Sequence, residues 1–203
     1  KKHPAPVYAF GRVEAGRTKV MQDLANAGLT EGGEGLDHAF RPDTLLQDGE
    51  TLEIAGLTIK ALHTPGHLPG HLCFGLNDTL FSGDHVMGWS TTLVSPPDGD
   101  MGAYMASLHR LTALNWSQML PGHGEPVTNP AARLAELIAH RLTREAQVLH
   151  ALSQSPGTAA DLAARIYQDT PAALLPAAAR NVLAHLIDLS DRNLAQPQGP
   201  ISA

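Results

Sequence analysis

Three short segments of this 203-residue chain set histidine or aspartate beside glycine where a β-strand reads as ending. The first is His63-Thr64-Pro65-Gly66-His67-Leu68-Pro69-Gly70-His71. Its histidines are four apart, the spacing of one helix face, but Pro65, Gly66, Pro69 and Gly70 do not suit a helix interior. It reads instead as a strand end, a tight loop and a new strand. The second is Phe81-Ser82-Gly83-Asp84-His85, and the third is Leu120-Pro121-Gly122-His123-Gly124. Imidazole nitrogen and carboxylate oxygen are the donors that zinc and similar divalent ions take. A carboxylate can bridge two such ions, and the pair turns water into hydroxide at neutral pH. A single loop histidine is ordinarily solvated or hydrogen-bonded, and Asp84 alone could cap a turn. The reading rests on three strand ends with one pattern.

The elements that must position these groups are legible in outline. Pro6–Phe10 reads as a strand ended by Gly11, and Arg17–Ala27 as a helix with Gly28 beyond it. Residues 31–37 are Gly-rich and read as a loop. Asp48-Gly49-Glu50 is a turn leading into a hairpin of Thr51–Ile54 and Leu57–Leu62. His71–Leu76 and Thr79–Phe81 form a second strand pair around Asn77-Asp78, and Gln118–Leu120 is a further short strand. Trp89–Gly99, with Pro96 and Pro97, should be irregular. Asp100 caps an amphipathic helix to Leu114. Asn129-Pro130 opens a long helix ended by Ser155-Pro156-Gly157. Thr158 and Asp161 form a capping box for a short helix to Tyr167, and Pro176 opens a third. The expected division is residues 1–139, mixed α and β, and residues 140–203, a small helical bundle.

Composition narrows the classes. Hydrophobic residues are 43% and charged residues 17%, a globular composition. The formal charge of −6 gives no global basic footprint for nucleic acid. No apolar run approaches the ~18 residues needed to cross a bilayer, and no secretory signal is visible. The lone Cys73 makes no internal disulfide, which fits a reducing compartment, and the expected location is cytoplasmic.

Taken together, Thr64-Pro65-Gly66-His67 with Gly70-His71, Ser82-Gly83-Asp84 and Pro121-Gly122-His123-Gly124 resemble the second half of the metallo-β-lactamase-fold hydrolase superfamily. The segment 83–100 resembles its β-lactamase-like protein 2 subgroup, which carries a C-terminal winged-helix-like domain. The resemblance implies an α/β fold, the C-terminal half of an αββα sandwich, followed by a winged-helix-like domain. It implies metal ligation by His67, bridging of two ions by Asp84, and ligation of the second ion by His123. His71 is expected to orient a ligand, His85 to touch substrate or pack, and Trp89 with Met87 to line the pocket or, for Trp89, to pack in the core. His63 is expected to face the sheet or solvent. The implied cofactor is a pair of divalent ions, zinc first, with iron or manganese as alternatives.

One departure bears on activity. The superfamily's His-x-His-x-Asp-His motif, which supplies further ligands and an aspartate, is absent; no His-x-His occurs in the chain. The chain, which starts Lys1-Lys2-His3, reads either as a fragment or as a natural truncated form. The expected function is metal-dependent hydrolysis, by metal-bound hydroxide, of an ester, thioester, lactone or phosphodiester. This chain alone should be weak or inactive, with one sheet face uncovered. Two alternatives stand beside it. One is an RNA endonuclease, which would need a basic groove that Lys60, Arg110 and Arg133 do not obviously form. The other is a metal-free winged-helix module that binds DNA or another partner. Its Pro176–Arg192 face offers only Arg180 and Arg192 as cations, so a lid, a pocket wall or a homodimer contact is favoured for it.

Overall fold

The computed structural model describes residues 5–30 and 35–201. The Gly-rich stretch expected as a loop therefore falls partly outside the described residues. Five strands form the central sheet, in the order β3 (Thr51–Ile54), β4 (Leu57–His63), β5 (Leu72–Leu76), β6 (Thr79–Gly83) and β7 (Gln118–Pro121). The first four run as antiparallel hairpins; β6 and β7 pair in parallel, with α2 (Met101–Thr112) on the connection between them. The strand expected at Pro6–Phe10 shrinks to β1 (Tyr8–Ala9), paired in parallel with β2 (Thr44–Leu45). Two residues carry too little periodicity for β2 to be read from sequence.

The alternation along these strands sets the layers. Leu62, Cys73, Leu80 and Met119 point to one face and are buried against Tyr104, Leu108 and Leu111 of α2 and Leu134 and Leu137 of α3 (Pro130–Gln154). Registers Ala61↔Phe74, Phe74↔Phe81 and Phe81↔Leu120 define the other face. There Phe81 is exposed, as are Ile54 and Leu57 at the β3–β4 end. Among the described residues, the helices pack on one side of the sheet, while the other side leaves Phe81, Ile54 and Leu57 exposed but buries Ala61.

Caps fix the helices. Asp100 accepts from the Ala103 N–H and opens α2; its other oxygen takes the Thr18 hydroxyl at 2.7 Å. Thr18 also caps α1 (Lys19–Asn26), so one side-chain contact ties the two helix starts together. Such caps are worth about 1 kcal/mol each. The predicted capping box of Thr158 and Asp161 is present at α4 (Ala159–Ile166). The last helix, α5 (Leu175–Asp191), begins one residue before Pro176 and follows a short 3-10 turn, Ala172–Leu174.

Residue 140, the expected division, lies in the interior of α3, which runs unbroken through it. The first half of α3 joins the sheet core, while Val148 and Ala151 join a second cluster with Leu162, Ala163, Val182 and Leu189. By length and mean hydropathy (1.2), Ala172–Asp191 is long enough to cross a membrane, although polar residues interrupt it. Here Val182, Leu183, Ala184, Ile187 and Leu189 are buried in the fold.

Candidate metal centre

All three sequence segments end at one rim of the sheet. The pairing of β6 with β7 shifts register between Phe81 and Gly83, and Gly83 takes φ of 52°. An irregularity there re-aims the chain, as bulges do beside functional sites, and Asp84 leaves the sheet edge. A side chain at residue 83 would require the left-handed backbone and would meet His71 Nε2 at 2.6 Å from its Cβ. On β7's exit, the Gly122 N–H donates to the Gly83 carbonyl at 2.9 Å. A Cβ at residue 122 would come within 2.7 Å of Asp84 Oδ1, so glycine there leaves room for the carboxylate.

Asp84 is the centre of the arrangement. His67 Nε2 lies 4.0 Å from its Oδ2, and His123 Nε2 lies 3.7 Å from its Oδ1. Asp84 Oδ1 is itself buried without a hydrogen-bond partner among the described residues. An unpaired buried carboxylate oxygen is costly, and a cation between it and an imidazole removes that cost. Two coordination bonds of about 2.0–2.2 Å at a tetrahedral angle set their donors about 3.4 Å apart, so each His–Asp pair would close by a few tenths of an ångström around one shared ion. Among the described residues, no set of three or more His, Cys, Asp or Glu side chains closes around a metal position. The chain assembles two pairs that share one carboxylate. This donor set fits divalent ions but leaves each short of the three or four protein ligands usual for zinc.

Hydrogen bonds fix the tautomer of His67. Its Nδ1 is 2.9 Å from the Leu93 carbonyl. A carbonyl only accepts, so Nδ1 donates, and in the neutral imidazole the lone pair is then on Nε2, the atom facing Asp84.

His71 is ordered by a longer chain. The Cys73 thiol donates to the Ser82 carbonyl, and the Thr64 hydroxyl donates to Cys73 Sγ at 3.2 Å. Thr64 Oγ1 is therefore left to accept from His71 Nδ1 at 2.9 Å. Burial first, and the neighbouring His67 second, depress the His71 pKa to about 4, so it is neutral at pH 7. Burial likewise pushes the Cys73 thiol up to about 12, which leaves it a donor rather than a nucleophile.

The remaining expected residues separate. His85 is fully buried against His71 and Tyr104, with neither ring nitrogen hydrogen-bonded among the described residues, so of its two expected roles only packing is open to it. Trp89 is 71% exposed and lies over Gly124, so it is not a core residue. It lines an open groove with Gly88, Gly124, Val127, Asn129 and Arg133. Beyond Trp89, Val94 through Asp98 are buried, so that part of the irregular segment is given to packing. His63 neither points free nor approaches Asp84. It stacks on Phe10 at 3.7 Å and its Nε2 bonds the Pro69 carbonyl at 2.8 Å. Of the cations considered for RNA and DNA, Arg110 pairs with Asp48, Arg133 with Glu136 and the Met87 and Ser90 carbonyls, Arg180 with Ser95 and the Pro96 carbonyl, and Arg192 with Glu145 and Asp188.

Sequence reading missed Thr92, Leu93, Thr64, Arg141 and Asn181. Thr92 Oγ1 donates to the Asp84 carbonyl at 2.5 Å and lies 3.1 Å from the His85 carbonyl. Apart from Thr64, which the first motif contains without a role, these residues belong to no motif, and Leu93 acts through its backbone. The only available signal was Thr64, which stands inside the first His-containing segment.

Comparison with known proteins identifies the two families to which the chain is similar. The profile of the metallo-beta-lactamase superfamily matches residues 3–123, and that of the beta-lactamase associated winged helix domain matches residues 158–199. A beta-lactamase-like protein 2 homolog of Drosophila melanogaster is 36% identical over 66% of this chain and 46% of its own length. An atrochrysone carboxyl ACP thioesterase of Aspergillus chevalieri is 41% identical over 53% of this chain and 34% of its own. The chain thus spans less than half the length of these two relatives. The crystal structure of a metallo-beta-lactamase family protein from Thermus thermophilus superposes with a TM-score of 0.76 at 27% identity. The match covers 97% of this chain and 70% of that one. With strand-end His67, Asp84 and His123 on a sheet backed by α2 and α3, and helices beyond, the chain belongs to the metallo-β-lactamase superfamily and carries its associated winged helix domain.

Proposed function

We propose that this chain supplies one share of the centre of a metal-dependent hydrolase acting on a small acyl ester or thioester. The observation that carries the reading is Asp84, whose two oxygens face two different imidazoles while Oδ1 lacks a hydrogen bond from any described residue. The name of the Aspergillus chevalieri relative, a thioesterase, supports the acyl thioester class.

His67 and Asp84 would hold one ion, and His123 and Asp84 the other, with zinc the first choice for a nitrogen and oxygen donor set. Bound there, divalent ions acidify water and polarise an acyl carbonyl. The chain's own residues prepare for this. The Leu93 carbonyl orients the His67 ring with Nε2 toward Asp84, Thr92 holds the Asp84 backbone, and the groove lined by Trp89, Gly124 and Val127, which starts one residue after His123, would take the acyl part. The engaged state of Arg110 and Arg133 gives no footing for a phosphate backbone, so RNA cleavage is the weaker reading.

The test is hydrolysis of p-nitrophenyl acetate and of a short acyl thioester by the 203-residue chain after loading with zinc. Because each ion meets only two of the chain's own donors, the expected rate is weak, abolished by a chelator and by Asp84→Asn. Hydrolysis that survives both treatments would overturn the proposal.

A further inference from the structure

The dipeptide Thr92-Leu93 touches both halves of the His67–Asp84 pair. The Thr92 hydroxyl donates to the Asp84 backbone carbonyl, and the Leu93 carbonyl receives the His67 Nδ1 proton. What holds the dipeptide comes from the far end of the chain. Arg141 on α3 is 2% exposed; its Nη2 donates to the Thr92 carbonyl and its Nη1 to Asn181 Oδ1 on α5 at 3.1 Å. The same Asn181 oxygen receives the Val94 N–H at 3.1 Å. Arg180, next to it, donates to Ser95 Oγ at 3.0 Å and to the Pro96 carbonyl. The helices therefore grip residues 92, 94, 95 and 96, while residues 92 and 93 grip the two ligands.

The buried guanidinium is costly for a structure to keep. Among the described residues Arg141 makes no ion pair with a carboxylate; its partners are a carbonyl, an amide oxygen and the Tyr104 ring, 5.1 Å from its carbon to the centroid. Tyr104 in turn donates its hydroxyl to the His85 carbonyl, one residue from Asp84. Removing the guanidinium would leave the Thr92 carbonyl without this donor and free Asn181 Oδ1 from one of its two donors. The planar fork joins two helices to one loop carbonyl.

We propose that Arg141 and Asn181 are positioning residues for the His67–Asp84 pair, acting through Thr92 and Leu93, so that the C-terminal helices set the geometry of one side of the centre. The inference builds on the metal reading above, but its first readout needs no metal. In the metal-free chain labelled with ¹⁵N-histidine, the His67 Nδ1–H gives a hydrogen-bonded proton resonance, assigned by its loss in His67→Gln. Thr92→Val, which removes only the hydroxyl, and Asn181→Ala should each broaden or shift that resonance. They should also weaken zinc binding, measured by competition with a chromophoric chelator, by about 10–100-fold, the usual effect of outer partners of a ligand. Thr92→Ser should restore both. Arg192→Ala, which cuts the Glu145 and Asp188 pairs on the same helices without touching the loop, should change neither. Arg141→Met extends the series if it folds; Thr92→Val decides the matter if it does not. A wild-type His67 resonance and wild-type zinc affinity in Thr92→Val and Asn181→Ala would overturn the proposal. A disturbed resonance in a chain that binds no zinc even as wild type would uphold the clamp and sink the metal reading.

Discussion

The two imidazoles beside Asp84 are held very differently. His67 is 12% exposed, and its far nitrogen is pinned to Leu93, whose neighbours Thr92 and Val94 are held by Arg141 and Asn181 on two helices. His123 is 70% exposed, and among the described residues its ring has no contact of this kind beyond Asp84. Only its backbone is placed, by the Gly122 N–H on Gly83. The difference teaches where ordering has been completed before a ligand arrives. On the His67 side the rotamer and tautomer are already set; on the His123 side the side chain must still lose its freedom, which lowers affinity.

The largest effect tests what the two sides share. Asp84→Asn should remove measurable metal binding on both, a loss of at least about 100-fold against zinc in chelator competition. Retention of one tight ion would mean that the sides do not share a carboxylate. Next come the sides themselves. His67→Ala should cost about ten times more zinc affinity than His123→Ala, because it discards a preorganised ligand; equal losses would erase the contrast.

The brace also has a pH limit. His185 on α5 is buried with both ring nitrogens unpaired among the described residues, and burial first, then the nearby Arg141, depresses its pKa to about 3. Below about pH 6.5 the unfolded chain takes up a proton that the folded His185 refuses, so stability falls as pH falls. The loss grows as pH falls below about 6.5, until the fold is lost. Thermal melts of His185→Met from about pH 7.5 to about pH 5 should show a flatter dependence than wild type; parallel curves would remove His185 as the cause. The smallest effect concerns the sheet face that bears Phe81. Phe81→Ser should alter stability by about 0.5 kcal/mol or less, since Phe81 is already 42% exposed, yet reduce self-association in sedimentation runs.

What the sequence determined by itself was local. Proline and glycine around His67 forbid a helix, Asp100 and the Thr158–Asp161 pair announce helix starts, and strand alternation separates Leu80 from Phe81. Each depends on residues within about four positions, where backbone geometry is set by side-chain type. The same local grammar marked His67, Asp84 and His123 as strand-end donors. The tertiary structure alone decided which of them is held, and by what. Thr92 reaches Asp84 across eight positions, Leu93 reaches His67 across 26, and Arg141 reaches Thr92 across 49. Those contacts use a hydroxyl, a backbone carbonyl and an arginine that look ordinary in the sequence. They gain their meaning only when burial takes away water as a competing partner and leaves each polar group one place to bond.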